Sequence, residues 1–214
     1  PGSTFKLATS YTLLEEGYVS PSTTFRCSPY IVFGGQVRRN WAARDMGPMT
    51  VKEAIAWSCN TWYYQAVAQD PLGVVDRLAA RARLLGLGEA TGLEIAERTG
   101  LLPTRVWKRE AFKEPWYPGE TLSLAIGQGP VLTTPAQVAR MLSTIVNSGT
   151  VLDGKTVTSV AAGTNFRHEY SFVFTPTFSD GSSAVYVAQQ VYQWASDASG
   201  NWDSAANWSF NLKP

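Results

Sequence analysis

One histidine, two cysteines and a charged fraction of only 16% are what this 214-residue sequence has least of. With His168 as the only imidazole, neither a zinc site nor a Ser-His-Asp triad is expected. Cys27 and Cys59 are too few for a disulfide framework, and the sequence leaves open both a pair formed in an oxidising compartment and two buried thiols. The formal net charge is +1, which gives no electrostatic case for nucleic acid. Basic residues do gather between Arg77 and Arg109, but they are spread along helical and loop segments and read as a solvated face. No apolar run approaches the roughly 18 residues that would suggest a membrane span. The chain opens on Pro1 rather than methionine and shows no signal peptide, so it is expected to be a piece of a longer protein.

What is present suits a folded domain. Apolar residues at 44% and aromatics at 12% exclude a disordered chain, and the length suffices for a sizeable core. Phe5, Leu7, Ala8, Tyr11 and Leu14 form a broad apolar face that predicts a helix over 3–16, stopped by Gly17. Residues 18–48 are rich in Ser, Pro and Gly and predict an irregular connection with short strands at most. Thr50-x-x-Glu53 fits a capping box opening a second helix, and a break at Ser58-Cys59-Asn60 precedes a third that runs through Gln69. Residues 72–85 predict another amphipathic helix closed by Gly86, and 86–121 read as loop. Thr134-Pro135 then caps a helix reaching Gly149.

After Gly149 the texture changes. Segments 155–161, 169–175 and 184–194 are β-branched and aromatic, with Asp180-Gly181 as a hairpin turn between the last two. Helices first and antiparallel strands later predict an α+β fold, organised as a helical core over 1–150 and a β-rich segment over 151–214.

The chemistry concentrates at the very start, PGSTFK. Ser3 and Lys6 are three apart, so a helix brings their side chains to one face. A serine hydroxyl needs a base to become a nucleophile, and a lysine amine can serve if burial keeps it neutral. The positive end of a helix dipole disfavours an ammonium there and leaves backbone N–H groups free for an oxyanion. Such a centre performs acyl transfer without histidine. By itself S-x-x-K arises about once by chance in a chain of this length, and S-x-N at 58–60 is nearly as common.

Taken together, PGSTFK before an apolar helix, AIAWSCNTWYY some fifty-five residues on, and AIGQGPVLTTPAQVARML further along resemble the transpeptidase domain of class B penicillin-binding proteins. The match covers residues 1 to about 150 in order and spacing, and the IGQG segment with its Thr-Pro helix is its most specific part. The resemblance implies an antiparallel sheet flanked by helices. It also implies that the sheet is incomplete at the N-terminus, because family members carry strands ahead of the serine helix.

The resemblance further implies that Ser3 is the nucleophile toward a D-Ala-D-Ala peptide bond and that Lys6 accepts its proton. Ser58 would relay a proton toward the leaving amine, and Asn60 would bind substrate or orient the lysine. Cys59 fills the variable middle position of that motif. The family's third motif, Lys-Thr-Gly on an inner strand, is absent as such. Lys155-Thr156-Val157 is the nearest candidate, with Lys155 and Thr156 expected to bind the substrate carboxylate. It falls only 26 residues after Gly129, and Val157 stands where the family has glycine. Residues 151–214 are therefore either divergent strands of the same domain or a tail of unrelated origin.

The implied activity is D,D-transpeptidation of peptidoglycan stem peptides on the outer face of a bacterial membrane, with no metal or cofactor. β-Lactams are the expected covalent inhibitors, and a glycosyltransferase of the wall machinery is the expected protein partner. The alternatives are a β-lactamase or D,D-carboxypeptidase, in which water replaces the acceptor amine, and a non-catalytic β-lactam-sensing domain.

Overall fold

Gly2 and Gly17, both with φ in the left-handed region (58° and 72°), bracket the first helical segment. It begins as a 3₁₀ turn over Gly2–Phe5 and continues as α1, Lys6–Glu15. The computed structural model describes residues 1–93, 96–146, 149 and 151, and after them three strands, Arg167–Phe174, Tyr186–Trp194 and Trp208–Leu212. The chain divides into two compact units, Pro1–Thr156 and Val157–Pro214.

In the first unit the connection after α1 carries short strands, as its composition predicts. β1 (Phe25–Arg26) pairs with β4 (Pro48–Met49), and between them β2 (Tyr30–Phe33) and β3 (Gln36–Arg39) form a hairpin around Gly34-Gly35. The helices α2 (Val51–Ala56), α3 (Asn60–Val67) and α4 (Pro71–Leu84) follow. The Thr50–Glu53 capping box forms: the Thr50 N–H and hydroxyl both donate to the Glu53 carboxylate at 2.8 Å.

The reading of 86–121 as loop is overturned in part. α5 (Arg105–Phe112) lies inside it, and α6 (Pro118–Ala125) begins inside it. α5 has one buried residue, Lys108, so it lacks the apolar stripe by which a helix is recognised. It is held instead by its cap, where Thr104 Oγ1 accepts from the Trp107 N–H at 3.0 Å, and by an ion pair at 2.6 Å between buried Lys108 and half-buried Glu120 of α6. α7 (Pro135–Val146) starts where expected, with reciprocal Thr134–Gln137 bonds of 3.0 and 3.2 Å.

The core forms where the apolar faces of α1, α3, α4 and α6 meet. Phe5, Leu13, Trp62, Tyr63, Leu78 and Leu122 are buried there. α1 is clamped to α4 at its far end, where Glu16 accepts from Arg77 at 2.9 Å and from Arg81 at 2.7 Å. Together with the Arg105–Asp76 pair at 2.6 Å, these bonds engage much of the basic stretch within the domain itself.

The second unit is an antiparallel sheet in the order β5 (Arg167–Phe174), β6 (Tyr186–Trp194), β7 (Trp208–Leu212). Phe174 is registered with Tyr186, and Trp194 with Trp208. The first two strands coincide with predicted segments, whereas β7 lies in a stretch that showed little pattern. Segment 155–161 and the Asp180-Gly181 turn lie outside the described residues. Helices with antiparallel sheets make the fold α+β.

Candidate active site

The S-x-x-K pair straddles the junction between the 3₁₀ turn and α1. Ser3 is exposed in the turn, while Lys6 opens the α-helix and is only 2% exposed. That junction is set by a distant segment. The Gly2 N–H donates to the Gly127 carbonyl at 3.0 Å, and the Thr9 hydroxyl donates to the Ala125 carbonyl at 2.8 Å. Gly127, the first glycine of IGQG, has φ +72°, and a β-carbon on it would lie 2.0 Å from the Gly2 carbonyl oxygen. The specificity of IGQG as a sequence signal thus has a steric origin: only glycine lets α6 end against the start of the serine turn.

Ser58-Cys59-Asn60 is the turn between α2 and α3. α2 closes with a Schellman arrangement, the Cys59 N–H bonding to the Ala54 carbonyl at 3.0 Å and the Ser58 N–H to the Ile55 carbonyl at 3.1 Å. Ser58 takes the position usually given to glycine, with φ 52°. Cys59 is the N-cap of α3, its sulfur accepting from the Trp62 N–H at 3.4 Å, and Asn60 is the first residue of that helix. One turn therefore aims two side chains at Lys6.

The four side chains converge. Lys6 Nζ lies 2.6 Å from Asn60 Oδ1, 2.9 Å from Ser58 Oγ, 2.8 Å from the Ser58 carbonyl and 3.2 Å from Ser3 Oγ. Ser58 Oγ in turn lies 2.9 Å from Ser3 Oγ. No carboxylate bonds to Ser3, Lys6, Ser58 or Asn60 among the described residues, and the Tyr63 ring sits 5.5 Å from Nζ. Without a counter-charge, burial lowers the Lys6 pKa from 10.5 to about 8. Burial likewise pushes the Tyr63 phenol up to about 12, and its oxygen pairs with Ser10 Oγ at 2.7 Å rather than with the lysine.

The lysine geometry suits a neutral amine. Two N–H bonds to Asn60 Oδ1 and the Ser58 carbonyl would leave the nitrogen lone pair for a serine hydroxyl. Ser3 Oγ is exposed and within reach of both Lys6 and Ser58, the arrangement that activating a serine hydroxyl requires. The structure brings Ser3, Lys6, Ser58 and Asn60 together, and Lys155 and Thr156 lie outside the described residues. No group of His, Cys, Asp and Glu among the described residues could hold a metal ion.

Three features were not decided by the sequence. Cys27 and Cys59 are joined in a disulfide, which closes the question their number left open. Asn40, just after the β2–β3 hairpin, accepts from the Asn60 N–H at 2.9 Å through Oδ1. Trp41 and Trp57 stand exposed beside the Ser58 turn, and the Trp41 indole N–H donates to the Trp57 carbonyl at 3.0 Å. No local spacing signals any of these, because each joins segments brought together only by folding.

Comparison with known proteins places this geometry. The model of the penicillin binding protein transpeptidase domain matches residues 1–210. The peptidoglycan D,D-transpeptidase MrdA of Escherichia coli K12 is 37% identical over 154 residues, which cover 71% of this chain and 24% of that protein. A chain from a solved structure described as "Structural coordination of polymerization and crosslinking by a peptidoglycan synthase complex" is 82% identical, with a TM-score of 0.68 over 72% of this chain and 26% of its own. PBP2 of Pseudomonas aeruginosa, solved with WCK 5153, is 34% identical with a TM-score of 0.67, covering 72% of this chain and 35% of that one. The chain spans about a quarter of the length of the curated relatives it matches. With its serine, lysine and asparagine assembled as the sequence motifs require, this chain belongs to the penicillin-binding protein transpeptidase domain family.

Proposed function

We propose that this chain carries the acyl-transfer centre of a peptidoglycan D,D-transpeptidase, with Ser3 as nucleophile. The observation that carries the reading is the buried Lys6 amine, ringed by Ser3 Oγ, Ser58 Oγ and Asn60 Oδ1 with no carboxylate bonded to it among the described residues. Lys6 takes the Ser3 proton as Oγ bonds to the carbonyl carbon of the penultimate D-Ala. N–H groups of the first helical turn have no intrahelical partner and favour the oxyanion. As the C–N bond breaks, the proton passes from Lys6 through Ser58 to the departing D-Ala amine. An amine of a second stem peptide then attacks the ester, its proton returns by the same route, and Ser3 is released.

Asn60 holds the lysine in place by accepting from its amine. Lys155 and Thr156 would bind the terminal carboxylate of the donor peptide. The family match extending to residue 210 supports residues 151–214 as divergent strands of the same domain rather than an unrelated tail. No described helix is long and apolar enough to cross a membrane. Action on the outer face of the bacterial membrane follows from the substrate. A glycosyltransferase of the wall machinery is the natural partner, in keeping with the 82% identical chain's structure, described as a peptidoglycan synthase complex that coordinates polymerization and crosslinking.

A fluorescent penicillin tests the reading. The chain should form a lasting adduct that Ser3→Ala abolishes, and a donor stem peptide should be joined to an acceptor amine. Absence of labelling would refute the acyl-transfer centre. Rapid release of the adduct would favour hydrolysis, and stable labelling without cross-linking would favour a sensor.

A further inference from the structure

The turn carrying Ser58 and Asn60 is held by more than the two helices it joins. Ser58 sits in the left-handed region with φ 52°, a conformation disfavoured for any residue with a β-carbon. Such a conformation persists only where the surroundings fix it. Here they do so from outside the helices, through the segment that runs from β1 past the hairpin. The disulfide ties Cys59, the residue between Ser58 and Asn60, to Cys27. Asn40 Oδ1 accepts from the Asn60 N–H at 2.9 Å, and Asn40 Nδ2 donates to Cys27 Sγ at 3.4 Å. The Thr61 hydroxyl adds a bond of 2.8 Å to the Ser28 carbonyl.

The far side of this brace is itself anchored. The Cys27 N–H donates to Gly47 at 2.7 Å, its carbonyl accepts from the Met46 N–H at 2.9 Å, and the Asn40 N–H donates to Pro29 at 2.8 Å. Both cysteines are fully buried. Neither cysteine nor Asn40 bonds to Ser3 or Lys6, yet Cys59 lies between the two residues that supply oxygens to the Lys6 amine, and Asn40 bonds to the second of them, Asn60.

We propose that the Cys27–Cys59 disulfide and Asn40 are positioning residues for acyl transfer, holding Ser58 and Asn60 around the Lys6 amine, so that full reactivity of Ser3 belongs to the disulfide-bonded chain. This rests on the acyl-transfer reading above. The left-handed serine is the point of weakness: freed from Cys27, the turn can relax toward ordinary helical or extended backbone, swinging Ser58 Oγ and Asn60 Oδ1 off the amine. A displacement of about 1 Å at a reacting group is enough to cost roughly 10²-fold in rate. A disulfide serving only global stability would leave this geometry intact in every folded molecule.

The test compares the full chain with Cys27→Ala/Cys59→Ala and, separately, with Asn40→Ala, which keeps the disulfide and still informs if the double variant fails to fold. Two quantities are read under conditions where each protein is folded. One is the reaction with a fluorescent penicillin, resolved into the dissociation constant of the encounter complex and the acylation rate constant. The other is native-state amide hydrogen exchange at Ser58, Cys59 and Asn60, with α4 as internal reference. The expected result is an acylation rate constant lower by roughly 10²-fold in the double variant and by a smaller factor in Asn40→Ala, with the encounter constant nearly unchanged. Exchange should quicken at the three turn amides and not in α4. An unchanged acylation constant, or exchange at the turn that rises no more than in α4, overturns the proposal. Should the unaltered chain not react with penicillin, the acyl-transfer reading falls, and exchange alone decides whether the brace fixes the turn.

Discussion

The N–H of Gly2 donates to the carbonyl of Gly127 at 3.0 Å, joining the residue before Ser3 to a loop from the far side of the sequence. Gly127→Ala would place a methyl group against the Gly2 backbone in a left-handed conformation. We expect a loss of about 1–3 kcal/mol, read as a lower denaturation midpoint in urea at unchanged slope. Acylation should fall as well, since the serine turn must shift to make room.

The lysine sets the pH dependence. With its pKa near 8, acylation should rise with pH up to about 8 and level off above, because only the neutral amine accepts a proton. Lys6→Arg should abolish acylation at every pH, as a guanidinium does not deprotonate in proteins. Stopped-flow acylation rates across pH 6–9.5 check both statements.

Stability follows the same group with a definite sign. The folded-state pKa of Lys6 lies below its unfolded value of 10.5, so above about 8 the unfolded chain binds more protons. Stability should therefore gain a contribution as pH climbs from about 8, relative to a Lys6→Met variant. Tyr18 and Tyr63, both pushed up to about 12, act in the opposite sense above about pH 10, so denaturant titrations between pH 7.5 and 9.5 isolate the lysine.

Ser58 separates conformation from chemistry. Both Ser58→Ala and Ser58→Gly remove the hydroxyl 2.9 Å from Lys6 and should slow acylation similarly. Glycine alone relieves the left-handed backbone, so Ser58→Gly should be the more stable of the two by about 1 kcal/mol. Equal stabilities by thermal unfolding would contradict this.

Gln137, fully buried at the start of α7, holds the loop after α4 in place. Its Nε2 donates to the carbonyls of Glu89 at 2.7 Å and Thr99 at 2.9 Å, while Oε1 accepts from the Thr134 N–H at 3.0 Å. Gln137→Leu keeps the bulk and strips three partners, and should cost about 3 kcal/mol. Differential scanning calorimetry would register it as a lower unfolding temperature.

The sequence by itself determined the helices whose apolar faces or caps are local: the serine helix with its stop at Gly17, the capping box at Thr50, the Thr134-Pro135 start of α7. It also marked Ser3, Lys6, Ser58 and Asn60, the four side chains that the fold brings together, as candidate site residues, because short motifs record the chemistry they would perform. Tertiary structure decided what no window of sequence contains. α5 escaped notice because its one buried residue is a lysine, paired with half-buried Glu120, and because a cap starts it. The disulfide, the Asn40 bond and the Gly2–Gly127 contact each join segments far apart along the chain. The Lys6 pKa belongs to the same class: a lysine in a sequence is a cation, and only burial, with no carboxylate bonded to it among the described residues, lowers that pKa to about 8.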